Sequence, residues 1–314
     1  MNTLSILLLI ALAAVSVAQD QPTYEDAAAQ YGIKPLNAGH DLYLRIVYKM
    51  NVKRIRANNA NPKMGHKEEV NMFAFWTEDE FFKTMLGTKD PDRSKSVPTV
   101  SLVVGWNILT SVDWSTTAVV TPVKNQGGCG SCWAFSAVAA LDSLNSLAYN
   151  VNGSNFSEQQ LVSCAKASPY INYGCSGGWM NNAFNYVIAL GITTENAFPY
   201  TATNGTCTIS GGAFKISSYT KVTATCDAVA TAVQYRPLSV AVDASKWSGY
   251  KSGTFKYCNT SRNHGVLLVG VTNSTWKIKN SWGIYWGQLG YMTLSAVNGN
   301  STCGICGVVS YPNK

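Results

Sequence analysis

All nine cysteines of this 314-residue chain fall at or after position 129: 129, 132, 164, 175, 207, 226, 258, 303 and 306. In an oxidising compartment cysteines pair, and an odd number leaves one thiol over. The chain therefore divides into a cysteine-free first part and a later part that four bridges can staple, with one thiol kept apart. Its length suits about two domains of ~100–200 residues each. The N-terminus agrees with an oxidising destination. Leu4 to Val17 is apolar and leads through Ser16-Val17-Ala18, the pattern of a cleaved signal peptide over residues 1–18. That run is too short for a comfortable membrane span, and no later segment is long and apolar enough for one. Six Asn-x-Ser/Thr sequons, at Asn152, Asn155, Asn204, Asn259, Asn273 and Asn300, all follow the first cysteine, as expected of a domain that can carry glycans.

Charge separates the same two parts. The net charge is +7; residues 1–107 carry 12 Lys+Arg against 11 Asp+Glu, and residues 108–314 carry 12 against 6. No Lys/Arg block stands in the later part, so a mildly basic globular surface is expected and no nucleic-acid site. Leu44, Val47, Tyr48, Asn51 and Ile55 recur at three- and four-residue steps and predict an amphipathic helix over Leu42–Asn58. Glu78–Leu86 is a second, short helix. Lys89 to Pro98 is polar, holds two prolines, and reads as a linker open to cleavage.

Beyond the linker, Phe135, Val138, Leu141, Leu144 and Tyr149 predict a buried helix over Cys132–Tyr149. Ser157-Glu-Gln-Gln160 reads as a capped helix start, and Asn181–Leu190 as a helix ended by Gly191. After Gly211 the texture is strand-like, over Leu238–Val242, Gly265–Val271, Thr275–Lys279 and Gly290–Leu294. A helical half followed by a β half puts a ligand groove between the two.

Four residues carry the chemistry. Cys132 stands at the head of the predicted buried helix, where the partial positive charge of the helix N-terminus favours a thiolate. His264 is the only imidazole after the linker, since the other two histidines are His40 and His66. A thiolate nucleophile needs a group that takes and returns a proton near neutral pH, and imidazole suits both tasks. Asn280, at a strand end beside Trp276 and Trp282, can orient the ring through its side-chain oxygen, with Trp282 shielding that bond from water. Gln126, six residues before Cys132, offers an amide donor for an oxyanion, with the Cys132 N–H as the second donor. Two other readings compete. Cys129-Gly-Ser-Cys132 is also a Cys-x-x-Cys redox dithiol pattern, but about 110 residues precede it and His264 and Asn280 would have no task. Cys303-Gly-Ile-Cys306 is a second such pair, but it lies some 170 residues away, far beyond the ~15–20 of a zinc ribbon. No metal and no cofactor is expected.

Residues 108–314 resemble a papain-family cysteine protease, closest to the cathepsin L-like branch. The segments that carry the resemblance are Ser111-Val-Asp-Trp114, Thr121 through Ser136, Gly174-Cys-Ser-Gly-Gly178, Asn263-His-Gly265, Lys279-Asn-Ser-Trp-Gly283, Trp286-Gly287 and Gly290-Tyr291. The resemblance implies an α+β, two-domain papain-like fold: a helical domain around Cys132 and an antiparallel β-barrel-like domain carrying His264 and Asn280. It implies Cys132 as nucleophile, His264 as general base and acid, Asn280 as orienter and Gln126 as oxyanion donor. Gly177 and Gly178 would pair with an extended peptide. Trp179, Met180, Ala241, Gly265 and Val308 would shape the pocket for the residue two before the cut, with Asn263 and Trp282 also at the site. That lining favours a hydrophobic or aromatic side chain, and Val308 at its floor brings no acid to attract arginine. The family's bridges would be Cys129–Cys175, Cys164–Cys207 and Cys258–Cys303, with Cys258–Cys306 as the rival register. In the first register Cys226 and Cys306 remain, and a fourth bridge between them is expected.

Residues 19–107 resemble the family's inhibitory pro-segment. Tyr48-x₂-Asn51-x₃-Ile55-x₃-Asn59 matches the downstream part of its helical signature, while His40 and Leu44 stand at the upstream acid and arginine positions. Asn71 and Phe73 match a second pro-motif in which Phe75 replaces an acid. The resemblance implies that this segment lies backwards along the groove. The expectation is a monomeric endopeptidase zymogen acting on proteins and peptides, held by its own pro-segment, in the secretory pathway and bound for a lysosome- or phagosome-like compartment or the exterior. A peptide ligase on the same scaffold and a catalytically silent binding protein are the alternatives.

Overall fold

The computed structural model describes residues 21–89, 99–100, 111–259, 261–297 and 301–314. The expected signal peptide, most of the expected linker, the boundary near residue 107 and the Asn300 sequon lie outside the described residues.

The N-terminal unit is built from three helices: α1 (Tyr24–Gln30), α2 (Ala38–Ala60) and α3 (Glu78–Met85). Helix α2 begins four residues before the predicted start at Leu42, because Asn37 caps it by accepting from the His40 N–H at 2.9 Å. Its inner face is Leu44, Val47, Tyr48, Val52 and Ile55. Asn51 lies on the same face for a polar reason: its side-chain amide donates to the carbonyls of Ala74 and Trp76, at 3.0 and 2.9 Å. Those bonds fasten the 3₁₀ turn Met72–Phe75 to the helix and bury Phe75 against Tyr24 and Tyr48. Asp41 and Arg45, each one place after the positions where His40 and Leu44 replace an acid and an arginine, form an ion pair at 2.7 Å, and Arg45 reaches Glu25 as well. A reciprocal box between Thr77 and Glu80 starts α3.

Helix α4 (Cys132–Tyr149) is the central element of the rest and is buried along most of its length. It stops at Asn150, which takes a left-handed conformation (φ 51°). Helix α5 (Glu158–Cys164) is capped by Ser157, whose hydroxyl accepts from the Gln160 N–H at 3.0 Å. Gln160 does not complete the box, since its amide donates to Tyr186 and Gly191 instead. Helix α6 (Met180–Leu190) ends at Gly191, as expected.

The strands are β1 (His66–Glu68), β2 (Thr99–Val100), β3 (Val112–Asp113), β4 (Ser218–Val222), β5 (Leu238–Val242), β6 (Tyr250–Phe255), β7 (His264–Val271), β8 (Thr275–Lys279), β9 (Tyr291–Ser295) and β10 (Val309–Asn313). They run in the order β1-β6-β9-β8-β7-β5-β10-β4-β2, with β3 on β7. Most pairs are antiparallel; β6 with β9 and β2 with β4 are parallel, and the path does not close on itself. The C-terminal half also contains a helix absent from the sequence reading, α7 (Cys226–Val233). The Ala228-Val-Ala-Thr-Ala-Val233 run alternates like a strand, but Thr225 caps the Ala228 N–H and Asp227 stands in the first turn, and these local signals decide.

Among the described residues three apolar cores result, one around α4, α5 and α6, one around the sheet and a smaller one inside the N-terminal unit. Helix α4 packs on β7, and a polar clasp fixes the contact: Ser136 donates to the Val266 carbonyl at 2.7 Å and accepts from Ser239 at 2.7 Å. The N-terminal unit rests on the sheet side through β1 on β6 and through Phe73 and Phe81, which meet Trp282 edge-on at 5.4 and 5.2 Å between centroids. Two exposed ion pairs, Lys246–Glu78 at 3.1 Å and Lys251–Glu69 at 2.7 Å, tie its rim. Four disulfides are present, Cys129–Cys175, Cys164–Cys207, Cys226–Cys306 and Cys258–Cys303, and Cys132 is the free cysteine.

Candidate active site

Cys132 is the first residue of α4 and His264 the first of β7, and both are fully buried. Antiparallel pairing of β7 with β8 returns the chain to His264, and Asn280, just past β8, meets it there: His264 Nε2 lies 2.8 Å from Asn280 Oδ1. An amide oxygen only accepts, so Nε2 carries the proton, and among the described residues Nδ1 has no hydrogen-bond partner. The imidazole lies against Trp282, with centroids 4.8 Å apart, and edge-on to Trp247. The amide of Gly265, the residue after His264, faces the Cys132 sulfur together with the amides of Trp133 and Cys132 itself.

Gln126 is held on every side. Its Oε1 accepts from Ser281 Oγ at 2.8 Å and from Trp282 Nε1 at 3.2 Å, and its main-chain N–H donates to the Ser281 carbonyl at 2.8 Å. That orientation leaves Nε2 to donate to the carbonyls of Cys129, at 2.9 Å, and Met85, at 3.1 Å.

Met85 belongs to the N-terminal unit, and the residues after it continue through the cleft. The Gly87 N–H points at Cys132 Sγ at 3.4 Å. Gly178 donates to the Gly87 carbonyl and accepts from the Lys89 N–H, both at 2.8 Å, so Thr88 and Gly178 pair as parallel strands. Across the cleft the Thr88 N–H donates to the Asn263 carbonyl at 3.1 Å. Glycine is required on the wall: a Cβ on Gly177 would come within 2.6 Å of the Gly87 carbonyl, and one on Gly178 within 2.6 Å of the Trp133 ring. Trp179, Met180 and Ala241 are buried together, with Val308 partly buried against them; the Ala241 N–H donates to the Val308 carbonyl, and Gly265 approaches the Met180 sulfur. Trp282 is covered by Phe73 and Phe81 and forms a platform for the N-terminal unit.

Covering changes the protonation expected of the couple. Burial pushes the Cys132 thiol up to about 11, against the opposing pull of the surrounding amides. Burial likewise depresses His264 to about 4, although Asn280 and the Met85 carbonyl favour its charged form. With the cleft filled, burial favours the neutral form of both groups at neutral pH. Behind Asn280, Lys124 and Glu158 form a bidentate pair at 2.7 and 2.8 Å, and Lys279 donates to Thr121, which faces Asp142. Burial raises Asp142 to about 6 and lowers Lys279 to about 8.

The structure thus brings Gln126, Cys132, His264 and Asn280 to one cleft, with Gly177, Gly178 and Asn263 on its walls. The sequence reading expected the pro-segment in the groove without saying which of its residues fill it; they are Met85 to Lys89. Most of the contacts that seat them are main-chain ones, beside Thr88 Oγ1 donating to the Arg262 carbonyl and the Lys89 ammonium over the Tyr173 ring, and Gly87 directly after a capped helix is the one sequence signal.

Comparison with known proteins identifies the family. The papain family cysteine protease profile matches residues 108–313. Cathepsin L 2 of Paramecium tetraurelia is 38% identical over 295 residues, covering 92% of this chain and 91% of the relative. Digestive cysteine proteinase 3 of Homarus americanus is 39% identical over 318 residues, covering 96% and 97%. Among solved structures, digestive procathepsin L 3 from the larval midgut of Tenebrio molitor superposes with a TM-score of 0.82 at 32% identity, covering 92% of this chain and 97% of that one. The chain therefore belongs to the papain family of cysteine proteases, with cathepsin L-like relatives.

Proposed function

We propose that the chain is a cysteine endopeptidase zymogen in which Cys132 is the nucleophile, His264 the general base and acid, Asn280 the orienter and Gln126 an oxyanion donor. The observation that carries this reading is an imidazole with one nitrogen anchored on Asn280 and the other without a partner, in a cleft whose thiol heads a helix. Once the cleft opens, the sulfur loses its apolar cover, the proton passes to His264, and the helix amides favour thiolate. The thiolate attacks the scissile carbonyl carbon, and Gln126 Nε2 with the Cys132 N–H receives the oxyanion. His264 then protonates the departing amine. Water, deprotonated by His264, cleaves the thioester and returns the thiol.

The Met85 carbonyl on Gln126 Nε2 supports the donor role, because a peptide carbonyl is already seated there. The N-terminal unit is then the inhibitor. An N–H, that of Gly87, is aimed at the sulfur, and an N–H cannot be attacked. The parallel pairing with Gly178 supports a reversed chain direction. Trp179, Met180, Ala241, Gly265 and Val308 favour a hydrophobic or aromatic residue two before the cut, and the absence of a paired-histidine insertion after residue 108 favours internal cleavage. A monomer in the secretory pathway, lysosomal or exported, fits four disulfides and the leader-like N-terminus.

A thiol-reactive epoxide tests the reading. Labelling confined to Cys132 and appearing after acid activation supports the enzyme; no labelling of the activated chain rejects it in favour of a binding protein.

A further inference from the structure

The phenol of Tyr200 joins the two residues that frame the thiol. Its Oη donates to the Gln126 carbonyl at 2.7 Å and lies 2.6 Å from Ser131 Oγ. The phenol proton is committed to the carbonyl, so Ser131 is the donor of the second bond, with the Cys129 carbonyl, at 3.4 Å, its longer alternative acceptor. Ser131 is the N-cap of α4, and serine there ordinarily turns its oxygen to an amide two or three residues on. Ser157 does this for α5. Ser131 does not: its backbone sits at φ −97°, ψ 13° instead of extended, and its side chain makes no cap bond. The Cys132 and Trp133 amides of that first turn are left facing the sulfur. Tyr200 is itself fixed, its N–H donating to Glu195 at 2.7 Å and its ring meeting Phe135 edge-on at 4.8 Å. Burial holds its phenol protonated well above the usual tyrosine range.

We propose that Tyr200 is a positioning residue that keeps the Ser131 hydroxyl off the first turn of α4 and pins the main chain of Gln126, so that the helix amides stay directed at the Cys132 sulfur. It acts through Ser131 and Gln126 and touches no reacting atom. The inference rests on Cys132 being the nucleophile. The titratable groups around Tyr200 are Glu158 of α5, Glu195 in the turn after α6, and Cys132; His264 opens the strand whose Gly265 amide faces the sulfur.

The test is the pH dependence of iodoacetamide alkylation in full-length protein processed with acid, because only the thiolate reacts. Tyr200→Phe is expected to move the acid limb up by about half to one pH unit, as the freed Ser131 hydroxyl competes for the amides. It also lowers kcat roughly 10-fold with KM within about twofold. Adding Ser131→Ala returns the limb to the wild-type position, and Ser131→Ala alone leaves it there. A purely structural tyrosine would lower the melting temperature with no movement of the limb. The inference is overturned if Tyr200→Phe keeps the wild-type limb, if the shift persists without the Ser131 hydroxyl, or if Ser131→Ala alone raises the limb. Alkylation of wild type at a residue other than Cys132 would instead remove the nucleophile assignment.

Discussion

Gln126 Nε2 donates to the Met85 carbonyl at 3.1 Å, so the amide proposed to receive a reaction's negative charge already holds a neutral peptide carbonyl of the same chain. One side chain thus serves the covered state and the proposed catalysis. Gln126→Ala is expected to lower kcat of the processed enzyme by about 10²–10³ with a much smaller change in KM. A loss confined to KM in steady-state kinetics would show that Gln126 only binds.

Gly87 is the closest fit in the cleft, since a Cβ there would lie 1.9 Å from the Gly130 carbonyl oxygen. Backbone on both sides leaves nothing flexible to yield, and overpacking of this kind costs about 1–3 kcal/mol. Gly87→Ala should therefore lift the segment, and the unprocessed proenzyme should react with a thiol probe about tenfold faster or more at neutral pH. An unchanged rate would place the barrier elsewhere in the N-terminal unit.

His264 is depressed from 6.5 to about 4 by burial under the N-terminal unit. The unfolded chain binds this proton as pH falls through 6.5, and the folded proenzyme binds it only near 4. Stability is therefore lost as pH falls across that window, by up to about 3 kcal/mol. In a Cys132→Ala background, which prevents processing, urea midpoints should fall from pH 6.5 to 4, and His264→Gln should flatten the decline. Parallel curves with and without the imidazole would remove it as a source of acid sensitivity.

Asp142 works in the opposite sense. Burial raises it from 3.8 to about 6, so the folded state holds its proton more tightly than the unfolded chain, and stability is lost as pH rises from about 4 to 6. Asp142→Asn removes this dependence. Between pH 4 and 7 the stability difference should move by about 3 kcal/mol in favour of the variant. Calorimetry at the two pH values distinguishes this from a difference that stays constant.

The Cys226–Cys306 bridge spans 80 positions and joins the start of α7 to the turn before β10. Replacing both cysteines by serine should cost about 2–4 kcal/mol in a denaturant titration, with the catalytic constants of the surviving fold unchanged.

Much of this was legible before any coordinates. Cys132, His264, Asn280 and Gln126 could be found because each chemical task admits few residue types, and the odd cysteine count singled out one thiol. Helices α4 and α6 carry apolar spacing and end at Asn150 and Gly191, residue types suited to stopping a helix. Helix α7 escaped because an Ala/Val alternation imitates a strand, and only the Thr225 cap and Asp227 contradict it. The resemblance put the N-terminal segment in the cleft, but which of its residues fill it, Met85 to Lys89, escaped because main-chain donors and acceptors are identical at every position. Tyr200 escaped as well: its partners, Gln126 and Ser131, are about seventy residues away in the chain and meet it only through tertiary folding.

The two ion pairs at the rim, Lys246–Glu78 and Lys251–Glu69, place both bases on the protease body and both acids on the N-terminal unit proposed to inhibit it. Each is open to solvent, where dissolved counter-ions weaken attraction between opposite charges. How long the dormant precursor endures thus depends on the surrounding electrolyte as well as on acidity. Dilute media prolong its silence, and a saline one shortens it.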